Sequence, residues 1–404
     1  MKNHLISIIL GCMVMLCALA GCQSDESPEA SVSVPPTNPT TNIPVESNAV
    51  QSDSVKSDYP KSVEEGILTR QDIQRIYYGP TETLLISTPD TLYWYDVSQN
   101  KILSQRPTDN WLKVAFYPVG NTLCAVVTVA VGESTGGSAS STDAETMCIF
   151  FDEKLQEIET VNLCNLGDNS DFIRCAAVSG NGGKIAYATQ DKLYCYDRGS
   201  DTLDLVLDFS RENMENNYGL SSISSVSFAS SADRILFCGN SFSLPLAEGQ
   251  HSYMTYGGIY LDGAGLQNLP FQDFEAGSLV SSTGGYMIFE ESMKSASGKV
   301  AVIDAEDMSQ QVYSLGSVKE GTSGLFCSQG GTYYATEEVG TNSLTLRVYE
   351  RATGQLACTH TFEDASAEYF YRTPSVYIID NQKLCIVKLG GFNEISSKVV
   401  MFAL

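Results

Sequence analysis

Three histidines, twelve cysteines and 48 Asp plus Glu are the side chains from which this 404-residue chain would have to build chemistry. His4 lies in an apolar leader, which leaves His251 and His360 as the imidazoles of any folded domain. His360 sits in the strand-like run LACTHTF and reads as structural, and neither imidazole has a recognisable motif partner that would activate a nucleophile. After Cys22 come nine further cysteines (124, 148, 164, 175, 195, 238, 327, 358 and 385), none in a C-x-x-C pair. Most stand inside apolar runs and read as small buried hydrophobes. An odd number cannot all pair within one chain, and Cys164 with Cys175 is the nearest pair in sequence that a disulfide would join.

Carboxylates offer more. Glu133, Asp143, Glu145, Asp168, Asp171, Glu212, Glu215, Glu248, Glu337 and Glu338 crowd a few connecting segments. Two of them about 5–9.5 Å apart could hydrolyse a glycosidic bond. The other reading is a solvated acidic surface that attracts cationic peptides or divalent ions. The fragment GDNSD (167–171) is too short for a calcium loop, and Walker loops, dinucleotide fingerprints and serine-nucleophile motifs are missing. No catalytic residue, cofactor or metal site is therefore expected. With 24 Lys plus Arg the formal net charge is −24, which repels phosphate backbones and speaks against a nucleic-acid partner.

The most distinctive segment is NSFSLPLAEGQHSYMTYGG (240–258), which sets Phe242, His251, Tyr253 and Tyr256 among Ser and Gly. Aromatic side chains of this kind give large contact area at low entropic cost, the habit of binding loops. Folded back, the same residues would form a lid. The stretch VGESTGGSASSTDAE (131–145) reads as a polar flap.

What positions these groups begins with the leader. Residues 1–21 carry one cation, Lys2, then an apolar run from Leu5 to Leu19, the length of a secretory signal and short for a membrane span. It ends in Leu19-Ala20-Gly21-Cys22, which resembles the lipobox of bacterial lipoproteins. That resemblance implies cleavage before Cys22, a diacylglyceryl group on its sulfur, and residence on the outer side of the cell membrane. Each buried methylene is worth about 0.8 kcal/mol, so one acyl chain binds marginally and two hold stably. Residues 22–66 are rich in Ser, Thr, Pro and Asn, with no periodic apolar face. Such a segment cannot bury enough surface to offset its ordering entropy and is expected to be a disordered tether.

From 67 to 404 short runs of Val, Ile, Tyr and Phe alternate with Gly, Asn, Asp and Ser clusters, the pattern of strands and turns. A tight turn followed by an apolar strand recurs as GPTETLLIS, PVGNTLCAVV, SGNGGKIAYAT, SSADRILFC, STGGYMIFE, SQGGTYYAT and RTPSVYIID. Strand starts at Leu84, Leu123, Ile185, Ile235, Met287, Tyr333 and Val376 give steps of 39, 62, 50, 52, 46 and 43 residues. Inside six units an apolar strand runs into an acid: Asp96, Asp152, Asp197, Asp262, Asp304 and Glu350; the seventh has Lys388. An Asp there opens a turn by accepting from backbone N–H groups two residues on. The third unit divides into four strands: Phe172–Val178, Lys184–Ala188, Lys192–Asp197 and Thr202–Phe209.

Four-stranded units in series are the signature of a β-propeller, here most simply seven blades. The turn-plus-strand element resembles the repeat of WD40-like and TolB-like propellers, and the aromatic-Asp strand ends resemble a WD dipeptide with the Trp replaced. The alternatives are another all-β repeat or two sandwiches. In a propeller, with strands A to D counted from the channel outward, loops A–B and C–D open on one face and loops B–C and D–A on the other. The long insertions are nearly all B–C or D–A (Ala130–Glu145, Ser210–Gly219, Ser241–Gly257, and the shorter Met293–Gly298 and Glu337–Ser343) and should gather on one face. Long loops on a rigid scaffold carry function. The sequence thus points to a binding or scaffolding module with a protein or glycan partner on its loop-bearing face, held to a membrane by Cys22. The enzyme alternative is a surface carbohydrate hydrolase or lyase.

Overall fold

The computed structural model describes residues 66–108, 111–130, 144–167, 172–242, 252–268, 276–283, 286–291, 299–304, 306–314, 322–328, 330–339, 343–363, 375–390 and 397–404. The leader, Cys22 and the expected tether up to residue 65 lie outside them, as do the flap at 131–143 and His251.

Asp197 shows how the units are punctuated. Its Oδ1 accepts from the backbone N–H groups of Gly199 at 2.9 Å and Ser200 at 3.0 Å, which turns the chain between two antiparallel strands. Asp152 does the same for Lys154 and Gln156 at 2.8 Å each, Asp96 for Gln99, Asp262 for Ala264 and Asp304 for Glu306. The expected turn chemistry is therefore present in five units. In a sixth, Glu350 accepts instead from the Thr353 hydroxyl at 2.8 Å.

These turns divide the chain into seven antiparallel sheets. The first blade comprises β1 (Arg75–Tyr78), β2 (Leu84–Ser87), β3 (Thr91–Asp96) and β4 (Lys101–Pro107), the second β5 (Lys113–Val119), β6 (Thr122–Ala130), β7 (Ala144–Phe151) and β8 (Glu157–Asn162). In the third, β9 (Cys175–Val178), β10 (Lys184–Ala188), β11 (Lys192–Asp197) and β12 (Thr202–Asp208) match the expected strands within a few residues. The fourth holds β13 (Leu220–Phe228), β14 (Arg234–Phe242), β15 (Ser252–Tyr260) and β16 (Gly265–Asn268), and the fifth β17 (Ala276–Thr283), β18 (Tyr286–Glu291), β19 (Lys299–Asp304) and β20 (Gln310–Ser314). The sixth holds β21 (Thr322–Cys327), β22 (Tyr333–Val339), β23 (Ser343–Glu350) and β24 (Leu356–Glu363). Among the described residues the seventh has three strands: β25 (Ser375–Ile379), β26 (Leu384–Leu389) and β27 (Lys398–Ala403).

Each blade packs both faces against its neighbours, so second strands are apolar on both sides rather than alternating. Leu84, Leu85 and Ile86 of β2 are all fully buried: Leu84 and Ile86 face the seventh blade, Leu85 the second. Outer strands face solvent on one side, which leaves Ile102, Leu103, Ile158 and Leu205 exposed singly. The ring closes where Ile76, Leu84, Ile86, Tyr93 and Tyr95 of the first blade pack on Ile379, Leu384 and Ile386 of the last. The result is a seven-bladed β-propeller.

One register differs from expectation. Val376 lies on β25, the innermost strand of its blade, whereas the other six strand starts lie on second strands. The true second strand starts at Leu384, so Lys388 belongs to β26 and not to the end of a third strand. The turn before β26, Asp380 to Lys383, has no glycine, and this hid it. The cysteines behave as small hydrophobes: Cys124, Cys148, Cys195, Cys238 and Cys385 are buried, Cys164 and Cys175 are half-buried, and all seven are free thiols, so the 164–175 disulfide does not form.

Candidate functional site

The connections of more than five residues all fall in one set. Connections joining first to second and third to fourth strands are turns of two to five residues, whereas the other set reaches 13 residues between Ala130 and Ala144. Exposed apolar side chains separate too. Apart from those on outer strands, Leu112, Phe172 and Tyr218 are 59%, 48% and 52% exposed, and each precedes an inner strand on the loop-bearing face. At the opposite turns an apolar residue such as Leu155 is buried. Three neighbouring blades thus present large apolar groups on one face.

Around the fourth blade this face is built outward. β14 and β15 form a hairpin that pairs from Arg234 with Tyr260 to Phe242 with Ser252, so half of the expected loop is strand. A short 3-10 turn, Met214–Asn217, clamps its base: the Phe242 N–H donates to the Gly219 carbonyl at 2.9 Å. Gly219 has φ +73°, and a Cβ there would lie 2.1 Å from the Phe242 carbonyl oxygen, so backbone touches backbone. Tyr218 caps the same turn in the left-handed conformation, which leaves its ring outward beside the hairpin. Sequence reading missed Tyr218; its signal was the Asn-Asn-Tyr-Gly turn just before an inner strand.

The four aromatic candidates part company here. Phe242 ends β14 and is half-buried, and Tyr253 lies on β15 opposite Ser241. Tyr256 is 1% exposed, packed on Phe289 of the next blade, and its hydroxyl accepts from Gln310 Nε2 at 2.7 Å. Burial raises its phenol well above the usual range. The expectation that the loop exposes Tyr256 is thus corrected: period-two alternation on β15 carries it into the blade interface. His251 lies outside the described residues.

Two described carboxylates of the crowded set are engaged singly, and Glu212 is exposed. Glu145 accepts from Asn162 Nδ2 at 2.8 Å, and Glu338 pairs with Arg347 at 2.6 Å. Glu337 is buried, and its neighbour Glu338 points to the opposite side of β22. Glu133, Asp143, Asp168, Asp171 and Glu248 lie outside the described residues. His360 is half-buried, stacked on Phe402 with ring centroids 4.4 Å apart, and burial lowers its pKa. Among the described residues no group of three His, Cys, Asp or Glu side chains is placed to hold a metal ion. This surface can bind by contact area and charge.

No protein-family model and no curated protein matches the chain. Among solved structures it is similar to the Cps50 (Swd1) β-propeller domain of Myceliophteria thermophila at 11% identity, covering 81% of this chain and 95% of that one, with a TM-score of 0.48. Hydrazine synthase of Kuenenia stuttgartiensis shares 11% over 85% and 99%, with a TM-score of 0.47. Hsv2 of Kluyveromyces lactis shares 12% over 82% and 97%, with a TM-score of 0.46. Likenesses this distant assign no function, and the propeller rests on its own strand pairing and blade-to-blade packing.

Proposed function

We propose that the chain is a binding or scaffolding module of the cell envelope, anchored through a lipid on Cys22 at the outer side of the membrane, with its loop-bearing face turned to a protein or glycan partner. The observation that carries the binding role is the gathering of Leu112, Phe172 and Tyr218 with the long connections on one face. Exposed apolar groups so segregated mark an interaction surface more than chance exposure does. The anchor rests on the Leu-Ala-Gly-Cys run and the apolar leader before it.

Crosslinking and affinity capture from native envelopes tests the binding role. The triple variant Leu112→Ser, Phe172→Ser, Tyr218→Ser should lose the captured partner, whereas Ile158→Ser with Leu205→Ser on outer strands should keep it. Equal capture by both variants would remove the loop-bearing face from the case. For the anchor, Cys22→Ala should abolish incorporation of labelled fatty acid.

A further inference from the structure

The inner hairpin of each blade ends at the loop-bearing face in one last pair of residues. Going round the ring from the seventh blade these pairs are Ser375 with Lys388, Arg75 with Ser87, Lys113 with Thr128, and Cys175 with Ala188, the last preceded by Arg174. Leu220 with Ser241, Ala276 with Glu291 and Thr322 with Glu338 complete the circle. Four consecutive blades therefore bring a cation to the channel mouth, and the acids Glu291 and Glu338 fall at the corresponding register positions of the fifth and sixth. This occurs in a chain with twice as many acids as bases, 48 against 24.

Two features set the cationic sector apart from ordinary surface lysines. Arg75, Lys113 and Arg174 are exposed, and among the described residues none is paired with a carboxylate. Lys388 is 5% exposed, and its Nζ donates to the neutral carbonyl of Gly390 at 2.6 Å. Burial, and then the like charge of Arg75, pushes its pKa down. Among the described residues no carboxylate pairs with that ammonium; a buried ammonium without a counter-charge is costly, and a bound anion supplies one.

We propose that this sector binds a multivalent oxyanion at the channel mouth, with Lys388 as its deepest contact and Arg75, Lys113 and Arg174 around it. The overall negative charge suppresses anion binding elsewhere and favours a local site. Exposed Leu112 and Phe172 stand next to Lys113 and Arg174, so an anionic group on a larger ligand would find apolar contact beside the charge. The site shares the face proposed above but needs no partner from the envelope, so the two readings fail separately.

Titration calorimetry on the purified full chain in detergent at low salt, with tripolyphosphate and with citrate, tests it. Saturable binding of either probe supports the site, and the preference between them tells a phosphate from a carboxylate ligand. Lys388→Met and the double variant Arg75→Gln, Lys113→Gln should each weaken binding about tenfold or more, the loss expected for a charge-assisted contact. Lys101→Gln with Lys154→Gln, away from the mouth, should leave it unchanged. Should Lys388→Met fail to fold, the double variant carries the test. No saturable binding by the wild type, or an equal loss in the control, would overturn the proposal.

Discussion

The phenolic hydroxyl of Tyr377 donates to the backbone carbonyl of Ile76 at 2.6 Å and joins the last inner strand to the first across 301 residues. Beside it the Ile378 N–H donates to the Tyr78 hydroxyl at 2.9 Å. Burial holds the Tyr377 phenol up at about 12, so it stays a donor at neutral pH. Tyr377→Phe leaves the carbonyl without that donor and should cost about 1–2 kcal/mol. A lower urea midpoint with an unchanged slope is the expected reading; an unchanged midpoint would show that closure does not use this bond.

Gly219 supports the hairpin rather than the ring. Gly219→Ala meets both a positive φ and the Phe242 carbonyl, and should destabilise by about 2 kcal/mol or more. Gly263 also has positive φ, +89°, but open space around its Cβ position, so Gly263→Ala should cost only about 1 kcal/mol. Thermal unfolding of the two variants side by side checks the contrast. Only Gly219→Ala should also weaken partner capture.

The thiols should be inert. Burial pushes Cys195 and Cys238 up to about 11 and Cys175 to about 12. Because the thiolate is the reactive form, iodoacetamide at pH 8 should label these three slowly in the native protein and fully in denaturant. Fast native labelling of any of them, read by mass spectrometry, would contradict the packing described here.

How much of this was legible in the sequence depends on range. The Asp-led turns, as at Asp197 and Asp152, are contacts between residues two to four apart, and they showed in the letters. The seventh unit misled because the turn before β26, Asp380 to Lys383, has no glycine to mark where the second strand starts. Tyr256 misled because whether an aromatic faces in or out depends on where β15 begins, and the Ser- and Gly-rich run conceals that start. The cationic sector was invisible for a stronger reason. Arg75 and Lys388 are 313 positions apart in sequence, and only strand register and ring closure bring them to one mouth.

Acid should loosen the contact between the last two blades. His360 on β24 stacks on Phe402 of β27, with Phe362 edge-on at 4.6 Å. Burial lowers its folded pKa, so the unfolded chain binds the proton more readily. Stability from this group is therefore full above the ordinary imidazole range and falls as pH drops through it. Between pH 7 and pH 5 the wild type should lose more stability than His360→Phe; parallel profiles would exclude the linkage.

The point where the described chain begins lies beside the point where it ends: the Ser397 N–H donates to the Gln71 carbonyl at 2.7 Å, and the Ser397 hydroxyl to that of Arg70. Any tension arriving through the residues before Gly66 is therefore delivered to the one seam of the ring that, among the described residues, no continuous backbone crosses. Under load the propeller should open there first, like a hoop at its join.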